Sequence, residues 1–345
     1  MKKKYTTAKY KSRQKVKQKK GERRKRNRKP YDPNRHPHNI ESKIKADIKE
    51  PIMVPKDFRL LEETESCLDF FSKLRNLENL STIGRKKFVE LIFKEVEQID
   101  YSSISVLTAI IDDFNFKKII LRTDFPVNQE CRDFIIQSGF LDNMYDQKGK
   151  PFPKSKASDT LFFEKGMQKL SREENIRISK TVKKVMEHVT GKAGYCQAMR
   201  TILLEICGNS IEWADTENKQ WLLGVKYEDQ KAIITVTDVG KGILNTLHRK
   251  FGQKLSDMAG FKSDDKILEQ AFDKKYGSKS KKSNRNKGLP FIKNKFEGGK
   301  ISELKVITNN VILHFDNQQN SRELNNYSLD GTFYRWVVTT ECFNN

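Results

Sequence analysis

Met199-Arg-Thr-Ile-Leu-Leu-Glu205-Ile-Cys-Gly-Asn209-Ser-Ile-Glu-Trp-Ala-Asp215 and, further on, Lys231-Ala-Ile-Ile-Thr-Val-Thr-Asp238-Val-Gly240-Lys-Gly242 are the stretches on which the reading of this chain turns. In the first, Met199, Ile202, Leu203 and Ile206 recur at helical spacing, which predicts an amphipathic helix with one face on a sheet. Glu205 and Asn209 stand four apart, so they are neighbours on the flank of that apolar stripe. There a carboxylate and an amide can face a bound ligand together. The second stretch reads as a buried strand that ends on a carboxylate, Asp238. Two glycines follow it, and glycine lets backbone approach a ligand closely.

These residues resemble the GHKL superfamily of ATP-binding domains, shared by DNA gyrase, the chaperone ATPases, histidine kinases and the mismatch-repair protein MutL. The resemblance covers roughly residues 175 to 342. Its Glu-x-x-x-Asn motif is carried by Glu205 and Asn209, and its Asp-x-Gly-x-Gly motif by Asp238, Gly240 and Gly242. A glycine-rich turn opening a helix is matched by Asn286-Lys287-Gly288-Leu289-Pro290, after the polar run Gly277 to Arg285. Asn286 and Pro290 stand where the family usually has further glycines, which implies a less complete closure over the triphosphate. Gly331-Thr332 resembles the family's threonine that supports the adenine contact. The resemblance implies ATP and Mg2+ as cofactors, with Asn209 on the magnesium ion, Asp238 accepting from the adenine amine and Glu205 activating a water. A magnesium ion held by few protein groups and by substrate phosphates is ordinary chemistry.

The flanking sequence fits the same plan. Trp221 to Tyr227 and Lys231 to Thr237, joined by Glu228-Asp-Gln230, read as an antiparallel hairpin, and Lys305 to Thr308 with Val311 to Phe315 as another, around Asn309-Asn310. Gly331 onward closes the sheet. Leu244 to Tyr276 is too helical and too polar for more sheet and lies where the family places its lid. Seven Lys or Arg between Lys274 and Lys287 are placed to meet a triphosphate. Gly-x-x-x-x-Gly-Lys-Ser/Thr does not occur, which excludes a P-loop nucleotide fold.

Upstream, Ser171 with Glu173 and Glu174 marks a helix start. His188 on that helix is followed by Val189 and Thr190, unlike a histidine-kinase phosphoacceptor, and reads as structural. Before it, Arg85 to Phe93, then Val96 to Leu107 with an amphipathic helix-like run, Lys118 to Arg122 and Cys131 to Leu141 alternate as in a small α/β unit. This part resembles a STAS domain, the fold of anti-sigma-factor antagonists: Ile99-Asp-Tyr-Ser-Ser-Ile-Ser-Val-Leu107 matches its loop before the helix. In that comparison the family's phosphorylatable serine falls on Ser102. A purely structural reading makes Ser102 and Ser103 helix caps.

The fold class expected is therefore α/β, a two-layer α/β sandwich of GHKL (Bergerat) type with a smaller N-terminal STAS-like α/β domain and a disordered basic arm. The divisions are 1–39 arm, 40–77 connector with a helix over Leu60 to Lys73, 78–146 STAS-like domain, 147–174 linker and 175–345 GHKL domain. The formal charge of the 345 residues is +22. Residues 1 to 30 hold sixteen Lys or Arg and one acid, so +15 sits in the arm and +7 in the rest. Such an arm buries too little apolar surface to order itself and is a handle for nucleic acid or another polyanion, releasing counterions from phosphates. His36 and His38 in it read as incidental. Five cysteines without a Cys-x-x-Cys pair argue against a zinc or disulfide framework and for a cytoplasmic, reducing setting. Neither a signal peptide nor a membrane-spanning segment is expected.

Three functions are open on this reading. One is a Mg-dependent ATPase acting as a nucleotide-gated switch read by a protein partner through the STAS-like domain. The second is a protein serine kinase of anti-sigma-factor type, and the third a nucleic-acid-binding protein with a regulatory nucleotide pocket.

Overall fold

A computed structural model describes residues 8–26, 46–144, 150, 152, 161–166, 170–213, 217, 220–251, 263–273 and 288–343. The chain divides into two compact units, Met1–Lys45 and Ala46–Asn345. In the first, helix α1 (Ala8–Arg26) occupies part of the arm that was expected to be disordered. Lys, Arg and Gln are good helix formers, and α1 has no apolar stripe of its own, so propensity accounts for it. Val16 on it is 52% exposed. His36, His38 and the arm's prolines lie outside the described residues.

The second unit opens with strands β1 (Ala46–Asp47), β2 (Ile52–Met53) and β3 (Asp57–Phe58) and helix α2 (Thr64–Arg75). Strands β4 (Ser81–Ile83), β5 (Lys86–Ile92) and β6 (Gln98–Ile99) follow, then α3 (Tyr101–Phe116), β7 (Ile119–Thr123) and α4 (Gln129–Gln137). β5 is central: it pairs antiparallel with β4 and parallel with β2 and β7, while β1 adds to β4. The stretch read as a connector thus supplies strands and a helix whose Cys67, Leu68, Phe70, Phe71 and Leu74 are buried. Its helix runs Thr64–Arg75 where Leu60 to Lys73 was expected.

A seven-stranded sheet forms the rest, from β8 (Leu161–Gly166), β9 (Trp221–Glu228), β10 (Lys231–Asp238), β11 (Ser302–Asn309), β12 (Val311–His314), β13 (Arg322–Glu323) and β14 (Leu329–Thr339). Its order is β13-β12-β11-β14-β10-β9-β8, antiparallel throughout. Both expected hairpins, β9–β10 and β11–β12, are present. The stretch read as a linker contributes the edge strand β8. Helices α5 (Arg172–Thr190) and α6 (Gln197–Trp213) share a core with this sheet, as do α7 (Ile243–Phe251), α8 (Asp264–Phe272) and α9 (Gly288–Glu297). α5 begins with a capping box, Ser171 and Glu174 each bonding the other's backbone N–H.

Strand side chains alternate between faces, and both faces of this sheet are buried. Ala232, Ile234 and Val236 of β10 pack with α5 and α6. On the other face Thr235 and Thr237 accept α3, and Leu222, Ile307, Ile312 and Phe333 join the core of the 46–144 segment. α3 therefore lies between two sheets, and its residues Tyr101 to Phe114 are all buried. The helix does carry a polar flank, Ser105, Thr108 and Asp112, but that flank is turned to the seven-stranded sheet and buried instead of facing solvent. Ser105 Oγ lies 2.9 Å from Thr235 Oγ1 and 3.1 Å from Thr237 Oγ1, a polar contact that satisfies its members inside an apolar interface. Among the described residues no helix is long and apolar enough to cross a membrane.

Candidate nucleotide site

The site is built where α6 crosses the end of β10. Ile202, Leu203, Ile206 and Cys207 are buried, which turns Glu205 and Asn209 to the half-buried flank of the helix, as their spacing predicts. Ser210, one residue on, reaches the sheet: its hydroxyl lies 3.1 Å from Asp238 Oδ2. One helix thus presents Glu205 and Asn209 and also touches the Asp238 carboxylate.

Asp238 is the last residue of β10 and is 6% exposed. Its Oδ1 accepts the Gly240 N–H at 3.0 Å, so the first glycine of Asp-x-Gly-x-Gly turns back onto the aspartate. Thr332, its cross-strand partner on β14, also hydrogen-bonds the carboxylate. Burial raises the Asp238 pKa to about 6 against the restraint of the Gly240, Ser210 and Thr332 hydrogen bonds and the Arg75 charge. Of a carboxylate's about four lone-pair directions, the Ser210 hydroxyl and the Gly240 N–H face two.

The loop after Asp238 is set by β11. Gly242 has φ +78°, a conformation that favours glycine, and a Cβ there would lie 2.3 Å from Asn309 Oδ1. Asn309 Oδ1 accepts the Leu244 N–H at 3.1 Å while its Nδ2 donates to the Lys241 carbonyl at 2.8 Å. Thr308 Oγ1 accepts from Ile243 N at 2.9 Å and lies 2.9 Å from the Gly331 carbonyl. Gly331, with φ +141°, lies against Asp238 itself: a Cβ would come 2.1 Å from the Asp238 carbonyl oxygen. Only a glycine permits β14 to approach there.

Gly288 is the first residue of α9 and is buried. A Cβ on it would stand 2.9 Å from Glu205 Oε2 and 3.1 Å from Asn209 Nδ2. The structure therefore brings Glu205, Asn209 and Gly288 to one point, and Asp238, Gly240, Gly242 and Thr332 to another, with α6 spanning the two. Burial raises the Glu205 pKa. Among the described residues no cluster of three His, Cys, Asp or Glu is arranged to hold a metal ion, so a cation at Asn209 would depend on ligands brought by a substrate. The basic run from Lys274 to Lys287, Asn286 included, lies outside the described residues.

Reasoning from sequence missed Ser210, Thr308, Asn309 and Arg75. Asn309 was read only as a hairpin turn, and it does have φ +51°; its side-chain role depends on a loop some 65 residues away in the chain. Ser102, the residue aligned with a phosphorylatable serine, is 3% exposed. Asp100 caps α3, accepting the Ser103 N–H at 2.8 Å. His188 Nε2 contacts the Glu228 carbonyl at 2.7 Å, a structural tie between α5 and the β9–β10 turn. No family model, curated protein or solved structure matches this chain.

Proposed function

We propose that the protein binds ATP with magnesium at this site and hydrolyses it as a GHKL-type switch. The observation that carries the reading is the convergence of Glu205, Asn209 and Gly288 on the helix that also holds, through Ser210, the buried carboxylate of Asp238. Asp238 would accept the adenine amine, with Thr332 and Gly240 fixing the carboxylate's orientation. Gly288 begins a ten-residue helix, and the N–H groups of a helix start favour phosphate. Asn209 would ligate magnesium through its amide oxygen, and magnesium, when bound, neutralises charge on the triphosphate. Glu205, with a pKa lifted by burial, suits the acceptance of a proton from an attacking water.

The serine-kinase reading is weaker for this chain's own serines. Ser102 and Ser103 are buried under α3's packing on the seven-stranded sheet, so neither hydroxyl is open to a γ-phosphate. A second reading, polyanion binding, is favoured by α1, which carries eleven Lys or Arg and one Glu in 19 residues. It is compatible with the first, because α1 belongs to the other unit. One assay separates the classes: the full chain incubated with γ-labelled ATP and magnesium, following free phosphate and labelled protein. Release of phosphate supports the switch, and label on a supplied protein substrate supports a kinase. The absence of ATP binding, with salt-sensitive nucleic-acid binding retained, leaves only the polyanion reading.

A further inference from the structure

Beside Asp238 sits a residue from a distant part of the chain. Arg75 ends α2, in the 46–144 segment. Its Nη2 donates to the Val239 carbonyl at 2.9 Å and its Nη1 to the Asp330 carbonyl. Val239 follows Asp238 directly, and Asp330 precedes Gly331, the glycine pressed onto the Asp238 carbonyl. One guanidinium therefore joins the two backbone segments that bracket the carboxylate. A planar fork of donors holds two carbonyls at a set separation; a lysine ammonium is a single point charge on a flexible stem. Other polar links from this segment to the sheet are Ser105 on Thr235 and Thr237, Gln220 on the Ala109 carbonyl, Glu65 on Arg322 and Asp112 on Lys165, and these reach neither the Val239 nor the Asp330 carbonyl.

We propose that Arg75 is a positioning residue for the adenine end of the site, and that through it the 46–144 segment sets the affinity of a pocket on the opposite face of the sheet. The proposal rests on the nucleotide reading above. It adds a route by which occupancy is communicated: if the clamp raises nucleotide affinity, bound nucleotide holds the clamp closed by the same factor, since coupling between sites is reciprocal. The segment that covers the sheet is then the element that senses the ligand, without a separate partner.

The test uses the full chain with MgATP and adenosine as probes, each measured by calorimetry or by displacement of a fluorescent ATP analogue. Arg75→Ala is expected to weaken both by the same factor, about ten-fold, because the clamp acts at the adenine end and not on the phosphates. Arg75→Lys, which keeps the charge and loses the fork, is expected to recover part of the loss. In nucleotide-free protein, hydrogen exchange of the Gly240 amide, which bonds Asp238, should accelerate in Arg75→Ala while that of the α5 core amides is unchanged. Wild-type affinities with unchanged Gly240 exchange in Arg75→Ala would overturn the proposal and leave the nucleotide reading standing. A loss confined to ATP, or faster exchange throughout the core, overturns it as well. A wild-type protein that binds neither probe overturns the nucleotide reading and this proposal together.

Discussion

Replacing Asp238 by Asn should make the empty protein more stable at neutral pH while removing its nucleotide binding. Asp238 is buried, and its pKa is raised from the usual 3.8 to about 6. The native state therefore retains a proton that the unfolded chain releases between those values. By linkage, the stability associated with this group is fully present below 3.8, declines as pH rises and is lost above about 6. The difference amounts to about 3 kcal/mol at neutral pH. An amide carries no charge to desolvate, and it still offers an oxygen to the Gly240 N–H and an NH2 to the Ser210 and Thr332 hydroxyls. Asp238→Asn should accordingly be more stable than wild type by about 1–3 kcal/mol at pH 7.5, with the gap closing towards pH 4. The groups facing Asp238 are the Arg75 guanidinium from α2 and the Tyr334 hydroxyl from β14. Burial raises the Tyr334 pKa and keeps that hydroxyl neutral through this window, so the pH dependence of the difference is assigned to Asp238. Saturating MgATP should close or reverse the gap, because only wild type gains binding energy, about 2.7 kcal/mol at a hundred times the dissociation constant. Urea unfolding of both proteins from pH 4 to 8, with and without MgATP, reads all of this. A variant less stable than wild type by the same amount at every pH would refute the desolvated carboxylate. Equal stabilisation of both by MgATP would refute its adenine contact.

Glu205→Gln keeps the shape of the helix flank and should bind ATP within about three-fold of wild type while hydrolysis falls by about 10²–10⁴, measured as phosphate release under saturating ATP. Gly288→Ala places a methyl 2.9 Å from Glu205 Oε2; calorimetry should find MgATP affinity reduced about ten-fold or more, and wild-type affinity would mean that α9 does not close the phosphate end. Removing residues 1 to 30 takes away +15 of the charge and should abolish most nucleic-acid binding and its salt dependence. The melting temperature of the remaining chain should be unchanged, and retained binding would locate the polyanion surface elsewhere.

What was legible in the sequence was whatever is encoded within one or two turns of chain. The Ser171 cap, the stripe of α6, the hairpin at Glu228 to Gln230 and the strand that ends on Asp238 are local patterns, and the structure contains each. α1 was missed because the argument from low apolar content addresses packing, while helix propensity acts residue by residue in Lys, Arg and Gln. The stretch 40–77 was read as a connector because its strands are two residues long, too short for alternation to register. Its aromatic residues were the better signal: Phe58, Phe70 and Phe71 pack edge-on or tilted against one another, with ring centroids 5.3 to 5.7 Å apart.

The harder part is the second face of the sheet. The strand Trp221 to Val225 is an apolar run broken only by Gly224, and a sheet covered on one side only would alternate with polar residues. That pattern called for a covering layer, and α3, buried at every residue from Tyr101 to Phe114, is the matching half. Read together, the two runs imply that the 46–144 segment is not an appendage that samples partners but a buried wall of the same sheet whose other face carries Asp238. Any movement of β10 or β14 on ligand binding must then be accommodated by α3 through Ser105 and by α2 through Arg75. Close-packed interiors transmit such displacements instead of absorbing them. The arrangement predicts that Ser105→Val, a change on the face away from the pocket, lowers stability by about 1–3 kcal/mol by stranding the Thr235 and Thr237 hydroxyls. Urea unfolding measures the loss, and a neutral result would mean that those hydroxyls find other partners and that the two faces are mechanically independent.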